Sequence, residues 1–442
     1  MAYFHGDYST GMSNQTTYDS ANNLLIYKKN LAAPIYIKQY FETKEQGGTV
    51  ASRIGLTANK LKKDEVVLGI TGTYEGEAPT GTINITQNGV TDVTNYASAN
   101  VNVEASGEKD VNFYDYDGTL VNSYTKTEFL ALNAMPANPT HTGLVAEGWN
   151  WTLSDAKDYV TTYGKLIIGQ NYTTLSGKCE FDIELNAATG LTFTLNVVGT
   201  KNWGDGTIDT NTSHTYTTSG TYTITCDCTT FSAYIFSQSS TYNYSLKNLR
   251  LSGIELQGSC LKSCYSLETV SVSKDVTFGS GSSQFEDCIR LKALVIPKGT
   301  IEIPNRFFYV DCNLETVCFP KEVTTLGEAI FRNCYRLNNV NIPAGVTQFK
   351  NELFRNCSSI EEITFPSGLT AINTANTLSY CVNLKVMDFR NALAIPTLSA
   401  TTILGNLNKL CKIIVPDALY ETWKTTQYWT TYANQIVKAS EA

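Results

Sequence analysis

Histidine is nearly missing from this 442-residue chain: His5, His141 and His214 stand far apart and in no recognised motif. That leaves little material for a Ser/His relay or a His-based metal centre. Charged residues are also scarce, at 17%, and no basic run is longer than the pair Lys62-Lys63. With a formal net charge of −8 and a pI near 5.1, the chain lacks an electrostatic footprint for nucleic acid or an anionic membrane. No run of 18 apolar residues occurs, so membrane insertion is not expected. The opening residues Met1 to Asp7 carry neither a basic nor an apolar export segment, and no wall-sorting signal follows Trp429. Export by the general secretory route is therefore not expected.

What is abundant points to β-structure: 26 Tyr, many Thr and Asn, and 42% apolar residues, enough for several cores. The strongest pattern is a 23-residue register. It runs through Phe285, Phe308, Phe331 and Phe354, then Leu291, Leu314, Leu337 and Ile360, then Pro297, Pro320, Pro343 and Pro366. A repeat of this length with Leu-x-x-Leu/Val-x-Ile/Phe predicts a leucine-rich solenoid, each turn giving one strand and burying its apolar face on its neighbours. Half-patterns from Leu246-x-x-Leu249 to Leu410-x-x-Ile413-x-Val415 extend it to eight rungs, spanning roughly 34 Å at the spacing of parallel strands.

Cys264, Cys288, Cys334, Cys357 and Cys381 recur at one point of each turn, with Asp311 in that register where Cys312 follows. They are read as reduced core residues, and no metal is assigned, since Cys226-x-Cys228 is the one close pair and has no paired His. The fold class expected is multidomain and mainly β. Residues 1–62 read as an N-terminal docking arm, 63–108 as a β-hairpin module and 109–172 as a small α+β module. The latter has one helix after Thr125 and a second from Ser154, a candidate N-cap, to Tyr163 with Gly164 beyond. Residues 173–237 read as a β-sandwich, 238–416 as the solenoid and 417–442 as a helical cap whose Trp423 and Trp429 pack on the last rung.

Three segments resemble known families. Phe331-Arg-Asn-Cys334-x-x-Leu337-x-x-Val340-x-Ile342-Pro343 and its successor to Pro366 resemble BspA-like leucine-rich repeats, which implies a surface-exposed solenoid used in adhesion. Trp203-Gly-Asp-Gly-Thr207, His214-Thr-Tyr216 and Gly220-Thr-Tyr222 resemble a polycystic-kidney-disease-type (PKD) sandwich. That implies a tight turn shaped by Asp205 and its glycines, with Trp203 in the core. Leu68 to Gly76, Ile83 to Val101 and Asp115 to Leu166 are similar to modules of structural proteins from phages and prophages of Firmicutes.

The order of these modules favours a phage virion protein, a tail or head fibre or baseplate-associated adhesin. Its N-terminal part would dock on other virion proteins and its solenoid on a host cell-surface glycan or protein, as a homo-oligomer on an extracellular particle. The alternative is a bacterial cell-surface adhesin of the same repeat family. A third reading, a magnesium phosphatase using Asp115 and Asp117, rests on Phe113 to Leu120, which resembles the first motif of haloacid dehalogenase-like phosphatases. A Tyr-Asp-Gly hairpin accounts for the same residues. No catalytic residue and no cofactor is expected. The ligand-binding expectation falls on Arg332, Tyr335, Arg336 and Arg355, in the variable slots of the repeat.

Overall fold

The computed structural model divides into two compact units, Met1–Gly107 and Glu108–Ala442. It describes residues 109–442 except 189, 233, 237–243, 373–375 and 406 and, before residue 109, seven short strands only. Most of the docking arm and of the hairpin module therefore lies outside the described residues. In the first unit Thr17–Asp19, Leu24–Tyr27 and Ile35–Tyr36 form an antiparallel sheet, and Val66–Val67 pairs with Ile70–Thr71. Thr82–Ile85 pairs in parallel with Ser98–Val101, so this stretch is a crossover pair and not the expected hairpin.

In the second unit, a stack of parallel strands follows the repeat: Leu246–Leu251, Thr269–Val272, Ala293–Val295, Thr316–Cys318, Asn339–Val340, Glu362–Thr364, Val386–Asp388, Lys412–Val415 and Ile436–Lys438. Where the period is strict, so is the pairing, with Ala293 opposite Thr316 and Thr316 opposite Asn339. The inward side chains are buried, Val340 partly, and the phenylalanine column stacks face to face: Phe308 on Phe331 at 5.7 Å, Phe331 on Phe354 at 5.2 Å. A second column of two-residue strands, from Thr230–Phe231 to Thr397–Leu398, forms another side of each rung. The remaining side is a double turn with two left-handed residues, such as Ala329 and Asn333 or Glu352 and Asn356. Their N–H groups point up the stack: Val310 donates to Arg332 O and Asn333 to Arg355 O, both at 2.9 Å.

Two expectations about this stack are corrected. The C-terminal segment is not wholly helical, because Ile436–Lys438 pairs in parallel with Lys412–Val415 and adds a ninth strand to the eight rungs read from the repeat. Trp423 and Trp429 are fully buried over that end, in contact with each other and with Phe389. Leu410, placed in the core by its spacing, is instead 85% exposed. The preceding connection lacks the cysteine turn: Asn408 closes it by accepting from Leu410 N and Cys411 N, and Cys411 enters the core in place of Leu410.

The cysteine column is thiol, as read. Cys334, Cys357 and Cys381 each donate Sγ–H to the carbonyl of the phenylalanine one rung back, at 3.0–3.1 Å.

Below the solenoid, Cys179–Leu185 pairs antiparallel with Gly220–Asp227 on one side and with the first solenoid strand on the other. One sheet thus runs from the sandwich into the repeat. The facing layer is Thr192–Thr194 with Ser213–Thr215. Between them lie Phe181, Phe193, Trp203, Tyr216 and Ile224. The Trp203 turn takes the shape expected of it: Gly204 and Gly206 have φ of +83° and +96°, and Asp205 accepts from Thr207 N at 3.0 Å. Trp203 donates to Asp209 and Tyr216 to the Trp203 carbonyl.

The α+β segment has the sheet order Leu144–Trp149, Leu166–Thr174, Val111–Tyr114, Leu120–Tyr124. Its first helix, Lys126–Ala131, starts at Thr125 with a reciprocal Thr125–Glu128 capping box. Its second, Leu153–Tyr163, is capped by Thr152 rather than by Ser154, and Gly164 closes it at φ +83°.

Candidate functional site

A solenoid offers its outer faces, and here one of them is taken. Of the Leu166–Thr174 strand, Ile167, Gly169, Asn171 and Thr173 face the stacked strands. Thr174 N donates to Ser252 on the first rung, Asn171 to Val272 O on the second, and Lys165 pairs with Glu362 on the sixth. The strand therefore lies along the stack, roughly perpendicular to the solenoid strands and running down it.

Asn150 bridges the layers, donating to Ile296 O and Cys318 O and accepting from Gly169 N. Trp151 donates to Phe319 O, Tyr159 to Ile342 O, and Asn391 on the seventh rung donates to Thr162 O. Gly169 is the closest approach: a Cβ there would lie 2.5 Å from Val295 Cγ2 and 2.8 Å from Cys318 Cβ. Small outward residues, Ser271, Ser273, Ala293, Thr316 and Cys318, allow this contact, and all are buried. The strand face is sealed by the chain itself.

Among the described residues the double-turn face is open. Along it Lys262 pairs with Glu286 at 3.0 Å, and Glu286 also takes Arg306 at 2.7 Å. The Arg306 guanidinium lies 4.0 Å from the Tyr309 ring centre, and that of Arg332 lies over the same ring at 5.3 Å. Glu352 then binds both Arg332 and Arg355, and Arg355 lies 5.9 Å from the Tyr380 ring. This is a continuous strip over six rungs. Burial raises the Glu286 carboxyl, but hydrogen bonds from Arg306, Ser283 and Lys262 outweigh it and hold the group below the usual carboxylate range.

The expected ligand residues fall in two columns of this face. Arg332 and Arg355 belong to the strip. Tyr335, 39% exposed, and Arg336 stand in the neighbouring column, where Arg336 pairs with Glu315 at 2.5 Å and donates to Asn313. The sequence reading missed Arg306, Tyr309, Glu286 and Glu352. The spacing could have found them, since Tyr309 is one 23-residue period before Arg332, and Arg306 two periods before Glu352.

Two of the three histidines, His141 and His214, each have a carboxylate. His141 Nε2 lies 2.7 Å from Asp115 Oδ2, and His214 Nε2 lies 2.7 Å from Asp205 Oδ2. Sequence distance hid both pairs. Asp115 is buried, accepts from Tyr116 N and His141, and together with Trp149 and Tyr172, which bond Pro136 O and Pro139 O, clamps the loop after the first helix. Asp117 accepts from Thr119 N, and Gly118 N closes the turn on Asp115 O. The two carboxylates of the phosphatase-like motif thus serve a hairpin and a loop clamp. Among the described residues no group of three or more His, Cys, Asp or Glu is placed to hold a metal ion. A polar depression of about 600 Å³ on the outer sheet of the sandwich is lined by Asp182, Thr223 and Arg250, but Arg250 there already forks onto Glu180 and Asp182.

Residues 280–401 match the model of the BspA type leucine-rich repeat region in six copies. Over these residues the chain is similar to BspA-type repeats. No curated protein matches the chain. Among solved structures, a leucine-rich repeat protein of T. pallidum is 23% identical over 41% of this chain and 83% of its own, with a TM-score of 0.34. One from Bacteroides ovatus is 22% identical over 46% and 50%, with a TM-score of 0.37. A leucine rich cell surface protein from Faecalibacterium prausnitzii is 17% identical over 43% and 63%, at 0.29. The family match falls on the BspA-type region, and nothing found supports a virion role or a PKD-type domain. Repeats of this family are typically parts of non-catalytic binding proteins.

Proposed function

We propose that the protein is a non-catalytic adhesin of a bacterial cell surface and that its solenoid engages a surface glycan or protein through the double-turn face. The observation that carries this is the asymmetry of the solenoid. Its strand face is covered on the first four rungs by the chain's own α+β segment, which is bonded to it as far as the seventh, whereas among the described residues the turn face stays open along the Arg306–Tyr309–Arg332–Arg355–Tyr380 strip. Arginine and tyrosine are the side chains that most often anchor interfaces. Their guanidinium planes are already held by Glu286, Glu352 and Tyr309, so less side-chain freedom is lost on binding. The BspA-type region supplies the expectation of a surface location.

Antibody labelling of intact cells tests the location, and signal appearing only after lysis would refute it. Titration of the labelled full chain onto target cells tests the face. Arg332→Ala with Arg355→Ala should weaken binding by about tenfold or more, and unchanged binding by a folded double variant would sink the reading.

A further inference from the structure

The double turns share one hydrogen-bond scheme, and Asp311 stands in it where its neighbours have a thiol. Within a turn, one carbonyl accepts the N–H of the column residue: Cys288 N donates to Phe285 O, Asp311 N to Phe308 O, Cys334 N to Phe331 O and Cys357 N to Phe354 O, at 3.0–3.1 Å. That carbonyl then receives the thiol of the next rung. Leu261 O takes Cys288 Sγ at 3.3 Å, and Phe308 O, Phe331 O and Phe354 O take Cys334, Cys357 and Cys381 at 3.0–3.1 Å. By the same register, the side chain placed to give Phe285 O its second proton is Asp311.

A carboxylate does not suit that place. It has no proton to give, and it would set its lone pairs against those of a carbonyl oxygen in a dry core. The side chain is fully buried, and among the described residues neither of its oxygens accepts a hydrogen bond. The neutral acid does suit it. Its oxygen stands further from the backbone than Sγ does, and an O–H···O bond is shorter, at about 2.7 Å, so the same carbonyl is in reach.

We propose that Asp311 is held as the neutral acid, donates its proton to Phe285 O, and acts as a pH-sensitive latch on the double turn that carries Arg306 and Tyr309. The ionisable groups around it come from four turns: Cys312 from its own, Glu286, Asp287 and Cys288 from the one before, Cys264 from the one before that, and Cys334 from the one after. Burial disfavours the charged form most, the Cys288 N–H favours it, and the charges of Asp287 and Glu286 disfavour it. Of the cations on these turns, Lys262 and Arg306 are held by Glu286, Arg290 by Glu268 and Arg332 by Glu352. Opening the turn lets the carboxyl ionise in water, near ~3.9. From there up to the folded value, each pH unit favours the open turn by up to about tenfold, and above the folded value the gain stops. The turn is therefore best ordered in acid, whether or not its face binds a ligand.

The test joins two measurements on the full chain: amide hydrogen exchange across pH, corrected for the intrinsic rate, and an infrared difference spectrum against Asp311→Asn at about pH 6, roughly two units above the ordinary aspartate value. The expected spectrum holds a protonated-carboxyl band that the variant lacks. Protection of the Asp311 and Leu314 N–H groups, which close the turn, should fall by up to about tenfold per unit above pH ~4. In Asp311→Asn, whose side-chain amide donates to the same carbonyl at any pH, it should stay level. Absence of the protonated band, or an equal slope in chain and variant, would overturn the proposal. Asp311→Cys, which restores the column, gives the same comparison if the asparagine variant fails to fold.

Discussion

Asp311 stands where five other rungs of the column place cysteine, fully buried, with neither carboxyl oxygen accepting a hydrogen bond among the described residues. Burial pushes its titration well above the ordinary carboxylate range, and the charges of Asp287 and Glu286 push the same way. An unfolded aspartate titrates near ~3.9. Stability is therefore fully present below that value and is lost as pH rises from it toward the folded value. Asp311→Cys should remove the loss. Urea midpoints should show the variant more stable by about 1–3 kcal/mol at neutral pH, with the gap closing as pH falls toward about 4.

A second residue-level strain lies next to it. Val310 holds a φ of +67° with a β-branched side chain, in the slot where the next rungs use Asn333 and Asn356. Asparagine tolerates this conformation and valine does not. Val310→Asn should raise the unfolding free energy by about 1 kcal/mol with the m-value unchanged.

Among the elements, what could be read from the chain was whatever a local pattern encodes. The repeat gave the inward Phe and Leu columns and the buried thiols. Thr125 marked the start of a helix, and Trp423 and Trp429 a lid on the last rung. Long-range docking was not legible. Asn150 and Cys318 are 168 residues apart, and neither position signals the other except through the run of small outward residues, Ser271 to Cys318. Ile436–Lys438 escaped notice as a strand because its partner fixes it, not its own three residues. Leu410 failed because spacing alone cannot see the turn that Asn408 builds. Of the candidate site, the arginines were visible as variable slots, but the carboxylate and tyrosine partners of Arg332 come from neighbouring rungs.

The docking itself makes a sharp prediction. Gly169→Ala would set a methyl against Val295 and Cys318, so it should destabilise the protein by about 1–3 kcal/mol although the position is a plain extended strand. Thermal unfolding of the variant measures this, and a neutral result would mean that the two layers are not in contact.

At the scale of the second unit, one sheet runs from the sandwich into the solenoid, and buried hydrogen bonds tie the α+β segment to the stack. Among the described residues the three act as one body, with the solenoid strand face covered on its first rungs and the double-turn strip uncovered. That view rests on the sealed strand face, and Cys318 reports on it directly. Its side chain points away from the solenoid core and is 1% exposed only because Ile167, Tyr114 and Gly169 cover it. Pulse alkylation of the native chain, read by peptide mass, is the decisive measurement. A sealed face predicts that Cys318 reacts as slowly as the core thiol Cys334. Labelling at the rate of the half-buried Cys312 would show that the face opens, and would contradict the account.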